Sequence, residues 1–463
     1  MWENIDIDRH YIGVFQILDE HISGELIYNK QKGLIRLNLA KEITTESFLG
    51  KSYGTLPIII GKLNTGAVVT LFHNFCSNNH TRVFSNQRLV FDSEYMIFSN
   101  SESVESTYNK MVCILKNAYQ WSAFSAFEET ETGIKSKNNI DKKTYNWFGA
   151  KITFSSYLND PLFTPPREEE TKIIQRLVLE IETSEKHNVK ELVSIRNKVI
   201  SLISFAIKNN INIEEQYLFD YDDSYLIANK YTEYRKHYLY TSESTLDIVR
   251  TQRWDYNFFM NDLPEEKDIN EELDKLEPIF NLYLSLFKYK GMPPEMVFLN
   301  IVQALETFHS RFFYNDKKDK YIESVKKRFG ESEPYKKLLL SDTQMDKNCN
   351  FIILVSRLND LLIGKSDGLF CEYYIENDGY AQTIADTRHY YTHYGKSKEA
   401  KALKGSDLLE SIYILRVLLE YHVCLSLGID RRDAIARELS NHNDWKQLNE
   451  MQTKECKSKN FTK

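Results

Sequence analysis

Residues 24–39 read Gly24-Glu25-Leu26-Ile27-Tyr28-Asn29-Lys30-Gln31-Lys32-Gly33-Leu34-Ile35-Arg36-Leu37-Asn38-Leu39, two runs of alternating residues around a polar turn. Successive side chains of a β-strand point to opposite faces, so this alternation is typical of strands with one buried face. Similar runs recur at residues 13–18 and 66–72. We therefore predict that residues 1–165 form a β-rich domain of antiparallel sheets, most simply a sandwich.

The pattern changes near residues 161–170, where two prolines are followed by three consecutive glutamates. From there to residue 290, apolar residues recur with strand-like and helix-like spacings in turn. We predict that residues 166–290 are a mixed, partly helical continuation of the N-terminal region.

The back of the chain has a helical period. After Pro293-Pro294, apolar residues recur at every third or fourth position. This spacing predicts a helix over residues 295–314. Further helices are predicted around residues 352–362, over 379–394 with Gly395 as C-terminal cap, and over 406–427. The prediction is an all-α bundle over residues 291–430 and a polar, basic tail over 431–463. The whole chain is then an α+β multidomain protein.

Charge and composition narrow the classes of function. The 463-residue chain has a formal net charge of -7, which divides into -8 over residues 1–290 and +1 over residues 291–463. The net negative charge therefore argues against nucleic acid as a partner of residues 1–290, but not of residues 291–463. Six scattered cysteines without a Cys-x-x-Cys pair argue against a disulfide scaffold and structural zinc. Without a signal sequence or an uninterrupted apolar span, we expect a soluble cytoplasmic protein with no membrane partner.

Residues 386–394, Asp386-Thr387-Arg388-His389-Tyr390-Tyr391-Thr392-His393-Tyr394, carry the clearest chemistry. A guanidinium presents forked donors to phosphate, and an imidazole exchanges protons near neutral pH. RNA supplies its own 2'-hydroxyl nucleophile, so this pair suits phosphodiester cleavage without a metal or a cofactor. The spacing alone is weak, because two other pairs share it: Arg416/His422 in the most apolar helix and Arg437/His442 in the tail. We interpret these as a packing pair and a solvated helix face.

The segment resembles the R-x4-6-H motif of the HEPN superfamily, in which a polar residue commonly follows the arginine. The helix with Gln303-Ala304-Leu305-Glu306-Thr307-Phe308 resembles the opening helix of the ApeA-like HEPN group. The front resembles the ApeA N-terminal domain in four short motifs and a downstream Trp121: Gly13-Val14-Phe15, Gly24-Glu25-Leu26, Ile60-Gly61-Lys62 and Val69-Thr70-Leu71. Gly13 is not followed by the Trp and Pro expected on the first strand.

This resemblance implies a metal-independent RNA endonuclease of bacterial antiphage defence by abortive infection, paired as a homodimer through its HEPN domain. The N-terminal half would sense a phage-derived trigger or restrain the nuclease. His393 would be the general acid/base that leaves a 2',3'-cyclic phosphate, Arg388 would neutralise the transition state, and His389 would orient the pair or touch phosphate. From the residues themselves, Tyr390 and Tyr394, together with Tyr391, would stack on bases unless they are core or interface residues. Glu306 would be a further substrate-binding residue or part of a solvated helix face.

Two other functions stay open on the sequence alone. The helical domain could be a non-catalytic HEPN module that dimerises or binds a nucleotide, joined to a partner-binding β-sandwich. A carbohydrate-binding or hydrolytic sandwich would need paired carboxylates or aligned aromatics, and the sequence offers no pair that can be placed. Two basic runs are weaker candidates for guiding RNA: residues 326–328 and the tail lysines Lys454, Lys457 and Lys459.

Overall fold

The computed structural model describes residues 9–43, 54–77, 87–99, 107–131, 133–137, 141–158, 174–219, 236–243, 246, 255–264, 269–289, 291–313, 354–366, 368–370 and 379–442. The chain divides into two compact units. The first unit comprises Met1–Ile203 and Asn210–Arg250, and the second comprises Ser204–Asn209 and Thr251–Lys463. The domain limits placed at residues 165, 290 and 430 stay predictions.

Strands dominate the first unit. They are β1 (Arg9–Ile17), β2 (Glu20–Asn29), β3 (Leu34–Ile43), β4 (Thr55–Leu63), β5 (Val68–Cys76), β6 (Gln87–Asp92), β7 (Tyr95–Ser99), β8 (Thr107–Lys116), β9 (Phe127–Thr130), β10 (Gly133–Ser136), β11 (Lys142–Trp147), β12 (Ala150–Leu158), β13 (Gln175–Asn188), β14 (Asn212–Phe219) and β15 (Lys236–Thr241). The turn predicted at residues 29–33 is confirmed, because Asn29 Oδ1 accepts a hydrogen bond from the Lys32 N–H at 2.7 Å.

Six of these strands close into an antiparallel barrel in the order β1-β2-β3-β6-β5-β4, with β4 returning to β1. The closure arises at β5. One of its edges pairs with β4, while its other edge pairs first with β7 and then, at Phe75 and Cys76, with β6. The β-rich class is therefore confirmed, and the simple sandwich expected for it is replaced by a barrel whose interior is the core.

The short motifs quoted from the front of the chain are neighbours in this barrel. Gly13 on β1 lies opposite Gly24 on β2, and Phe15 lies opposite Gly61 on β4. A Cβ at position 61 would come within 2.4 Å of the Phe15 ring, so only glycine lets this ring fill the barrel at that point. The motifs thus mark one packed patch of the barrel.

The remaining strands extend the sheet from β7 in the order β15, β14, β8, β13, β12 and β11, while β9 and β10 form a separate hairpin. Helix α1 (Val189–Ile207) follows β13 directly. Asn188 and Glu191 start it with reciprocal bonds: Asn188 Oδ1 accepts the Glu191 N–H at 3.0 Å, and Glu191 Oε2 accepts the Asn188 N–H at 3.1 Å. This capping box satisfies donors that a helix start leaves unpaired.

Helices make up the second unit. They are α2 (Asn270–Lys288), α3 (Pro294–Phe312), α4 (Leu354–Asn359), which continues as a π-helical turn (Asp360–Gly364), α5 (Tyr380–His393) and α6 (Gly405–Ser426). The one-turn helix Lys396–Glu399 links the last two. The predicted helical back of the chain is confirmed, and the predicted tail begins with a helix over residues 432–442 whose Ile435 and Leu439 are buried.

An ionic cluster lies in the core of the second unit. Glu420 on α6 is 1% exposed, and its carboxylate accepts from Lys208 Nζ at 2.7 Å and from Tyr283 Oη at 2.5 Å. Arg416 Nε lies 3.5 Å from the same carboxylate. Burial acts to raise the pKa of Glu420, but the charges of Lys208 and Arg416 outweigh it and lower the pKa below its ordinary value.

Within the described residues, no helix is long and apolar enough to cross a bilayer.

Candidate nuclease site

Helix α5 packs against its neighbouring helices along one side. Ala381, Ile384 and Thr387 are buried toward its neighbours α3 and α4, and Phe298 on α3 meets the Tyr391 ring at 6.4 Å between centroids. The helix ends one residue earlier than predicted. Tyr394 takes the left-handed conformation, with φ 49°, and donates its N–H to Tyr390 O at 2.5 Å, while Gly395 has an ordinary φ of -72°. The prediction of Gly395 as the cap is therefore wrong.

The predicted reacting groups on α5 are all at least partly exposed. His389, Thr392 and His393 are exposed, and the side chain of Arg388 is 41% exposed. Residues four apart on a helix share a face, and the rings of His389 and His393 lie 4.9 Å apart. Five residues turn through about 500°, which leaves Arg388 about 140° from His393 around the helix. Thr392, which the sequence reasoning did not single out, donates to Arg388 O at 2.7 Å.

Glu306, on the neighbouring helix α3, faces the arginine. Its Oε2 lies 4.0 Å from Arg388 Nη2, and both side chains are partly exposed. The backbone of Glu306 is held in place by α4, because the buried Arg357 on that helix donates a hydrogen bond from Nη1 to Glu306 O at 3.2 Å. A carboxylate is thus positioned beside the guanidinium that would receive a phosphate.

The tyrosines of the motif pack on one another. Tyr390 lies 5.2 Å from Tyr391 and 5.5 Å from Tyr394, measured between ring centroids. Tyr391 is a packing residue, since its hydroxyl donates to Leu403 O at 2.8 Å. Burial, with the charges of Glu295 and the adjacent tyrosines, raises the pKa of Tyr391. Tyr394 is 66% exposed, whereas Tyr390 and Tyr391 are half-buried, so Tyr394 is the most accessible of the three rings to a base.

Sequence reasoning missed the segment that follows the motif. Lys398 Nζ lies 2.6 Å from Oδ1 of the buried Asp386. Burial acts to raise the pKa of Asp386, but hydrogen bonds from Lys398 and Gln382 and the charges of Lys398 and Lys401 hold it below its ordinary value. The available signal was compositional: residues 395–404 contain four lysines and one glutamate.

Of the other two Arg–His pairs, the first contributes the buried His422, whereas in the second Arg437 is exposed and His442 is half-buried. His422 is 2% exposed, and its Nε2 lies 3.0 Å from Leu361 O. Burial lowers the pKa of His422 to about 4, so the buried ring is neutral at pH 7. Arg437 Nε donates to Asp433 O at 3.2 Å, and His442 stacks on Tyr413 at 4.3 Å between centroids.

Some predicted features lie outside the described residues, namely the basic run at 326–328 and the tail lysines Lys454, Lys457 and Lys459. In the part of the chain that the structure describes, no group of three or more His, Cys, Asp or Glu side chains is arranged to hold a metal ion.

Comparison with known families gives two matches. The family described as ApeA N-terminal domain 1 matches residues 10–275, more than half of the chain. The family described as Apea-like HEPN matches residues 299–433, which include most of α3 and all of α4, α5 and α6. Comparisons with curated proteins and with solved structures give no match.

Proposed function

The chain belongs to the ApeA family, with an ApeA N-terminal domain followed by an Apea-like HEPN domain, and on this basis we propose that it is a metal-independent endoribonuclease of antiphage defence. HEPN domains are generally ribonucleases, often dimerise and bind RNA. One observation carries the proposal for this chain: His389 and His393 share an exposed face of α5, and the side chain of Arg388 on the same helix is 41% exposed.

In the proposed reaction, His393 takes the proton of the 2'-hydroxyl as the 2'-oxygen bonds to phosphorus. The bond from phosphorus to the 5'-oxygen breaks, and the leaving oxygen receives a proton from the protonated imidazole. The products are a 2',3'-cyclic phosphate and a 5'-hydroxyl. Arg388 neutralises the charge that builds on the phosphorane-like transition state, and His389 contacts a phosphate oxygen.

The angle between Arg388 and His393 supports a paired arrangement. Groups about 140° apart on one helix reach a common phosphate only through the length of the arginine side chain. A second copy that presents its own α5 would supply additional donors to the same phosphate. We therefore include a homodimer through the HEPN domain in the proposal, and expect cleavage per chain to fall on dilution below the dissociation constant of that dimer.

The N-terminal region is proposed to sense infection or to restrain the nuclease. Supporting this role are the family membership and the separate barrel core of the first unit. A product of an infecting phage, added to the purified full chain, should raise its cleavage rate. Full cleavage without any phage product would contradict this part of the proposal.

The chain contains a matched control for the catalytic assignment. Arg437 and His442 have the same five-residue offset as Arg388 and His393. We expect Arg388→Ala to lower RNA cleavage about 10²–10³-fold and His393→Ala about 10²–10⁴-fold. Arg437→Ala and His442→Ala should cleave like the wild type. End mapping in the presence of EDTA should show cyclic phosphates. Undiminished cleavage by His393→Ala would overturn the catalytic assignment, whereas no cleavage by the wild type would favour the non-catalytic dimerisation module.

A further inference from the structure

Directly after the motif helix, the chain folds back along the same helix. This basic segment, residues 395–404, begins after α5 ends and returns to it at Leu403 and Lys404. The Leu403 N–H donates to Oγ1 of the buried Thr387 at 3.0 Å, and Leu403 O accepts from the Tyr391 hydroxyl at 2.8 Å. Both ends of the segment are therefore fixed to the helix that carries the reacting groups.

A third contact fixes the middle of the basic segment. The buried Asp386 holds Lys398 at 2.6 Å, as described above, so one of the four lysines serves as an anchor. The other three, Lys396, Lys401 and Lys404, are exposed. Lys404 Nζ lies 5.5 Å from the Tyr390 ring centroid and 3.6 Å from the exposed Glu399 carboxylate.

The position of these lysines relative to the motif is constrained by the chain itself. Lys396 comes three residues after His393, so their Cα atoms are at most about 11 Å apart. The segment carries four lysines against one glutamate, in a back half whose net charge is only +1. It is thus a local concentration of positive charge, held in place beside the proposed reacting face.

We propose that the basic segment binds the phosphate backbone of the RNA strand next to the phosphate being cleaved. Lysines on an anchored segment bind phosphates as point charges without reading the bases. The segment would therefore set affinity and alignment, while Arg388 and His393 perform the chemistry. This inference rests on the proposed function, since it assumes that the ligand of this face is RNA.

The test measures RNA binding without cleavage. In the His393→Ala background, we compare the parent with K396A/K401A/K404A, using a fluorescein-labelled oligouridylate between about 50 and 200 mM salt. Each lost phosphate contact on a single strand lowers the slope of log affinity against log salt by about 0.7, so three lost contacts lower it by about 2. We expect affinity at the lowest salt to fall about tenfold or more.

Two further variants separate position from charge and from folding. K32A/K116A/K190A removes three exposed lysines from the first unit, with the same change in net charge, and should bind RNA like the parent. K396R/K401R/K404R keeps the charges of the basic segment and should restore binding. A thermal unfolding curve for each variant shows whether the chain remains folded.

Three results would overturn the inference. The triple alanine variant could bind RNA with the parent's salt slope, the first-unit control could lose as much affinity, or the triple variant could change only the oligomeric state, which would assign the surface to a second copy. The proposed function is tested separately. Loss of cleavage in His393→Ala, with RNA binding unchanged in the lysine variant, contradicts this inference alone, whereas persistent cleavage in His393→Ala contradicts the function.

Discussion

The imidazole rings of His389 and His393 lie 4.9 Å apart on one face of α5, whereas Arg388 is turned about 140° from His393 around the same helix. The closest pair of the motif is therefore its two histidines. This arrangement distinguishes the role of His389 from that of the proton-exchanging His393 and gives the first prediction.

His389→Ala should lower kcat for RNA cleavage about 10- to 100-fold, less than His393→Ala, because it removes a phosphate contact and leaves the proposed acid/base in place. His389→Gln keeps a hydrogen-bond donor without a titrating imidazole and should recover most of the rate. Steady-state kinetics across pH provide the measurement. A glutamine variant as slow as alanine, with one limb of the pH profile missing, would instead make His389 a proton donor or acceptor.

Glu306→Gln should lower KM for RNA about two- to fivefold. The carboxylate lies 4.0 Å from Arg388 and competes with phosphate for the guanidinium, but the pair is exposed and contributes less than about 1 kcal/mol. Glu271→Gln on α2 makes the same charge change at an exposed position and is the control. If kcat falls and KM stays constant, Glu306 positions Arg388 and does not compete with the substrate.

Lys208→Met should destabilise the chain by about 3–5 kcal/mol, because it leaves the carboxylate of Glu420 buried without its nearest cation. Adding Glu420→Gln removes the uncompensated charge, so the double variant should be more stable than Lys208→Met alone. Urea unfolding followed by circular dichroism measures the four members of the cycle. Additive losses in the double variant would show that the two side chains are not coupled.

Stability should fall as the pH drops from about 6.5 to about 4, in part because of His422. Its ordinary pKa is 6.5 and burial lowers it to about 4, so in this window the unfolded chain binds a proton that the folded chain does not. The full difference is about 3 kcal/mol, since each pKa unit corresponds to about 1.4 kcal/mol.

His422→Asn removes this titration and should flatten the dependence of unfolding free energy on pH between 6.5 and 4. His442→Asn, on helix 432–442 of the same unit, should leave it steep. The comparison concerns the slope, so a general loss of stability in either variant does not affect it. Equal slopes in the wild type and His422→Asn would remove His422 as a source of the acid sensitivity.

Much of the fold was predictable because local periodicity records which side chains are buried. Alternation on either side of residues 29–33 placed the hairpin of β2 and β3, and the apolar stripe that includes Phe298 placed α3 within two residues of its bounds. The helix that carries the motif was also predicted from the sequence, and so was the packing role of Arg416/His422.

By itself, then, the sequence determined the strands and the helices and pointed to the proposed reacting side chains, because these depend on residues a few positions apart. Only the tertiary structure decided that one edge of β5 pairs with two strands, β7 and then β6. The pairing with β6 closes the barrel. It also decided that Asp386 and Thr387 hold the basic segment beside the motif. Strand pairing and buried ion pairs join residues far apart in the chain, and their energies depend on which groups meet and lose water together, which no local period records.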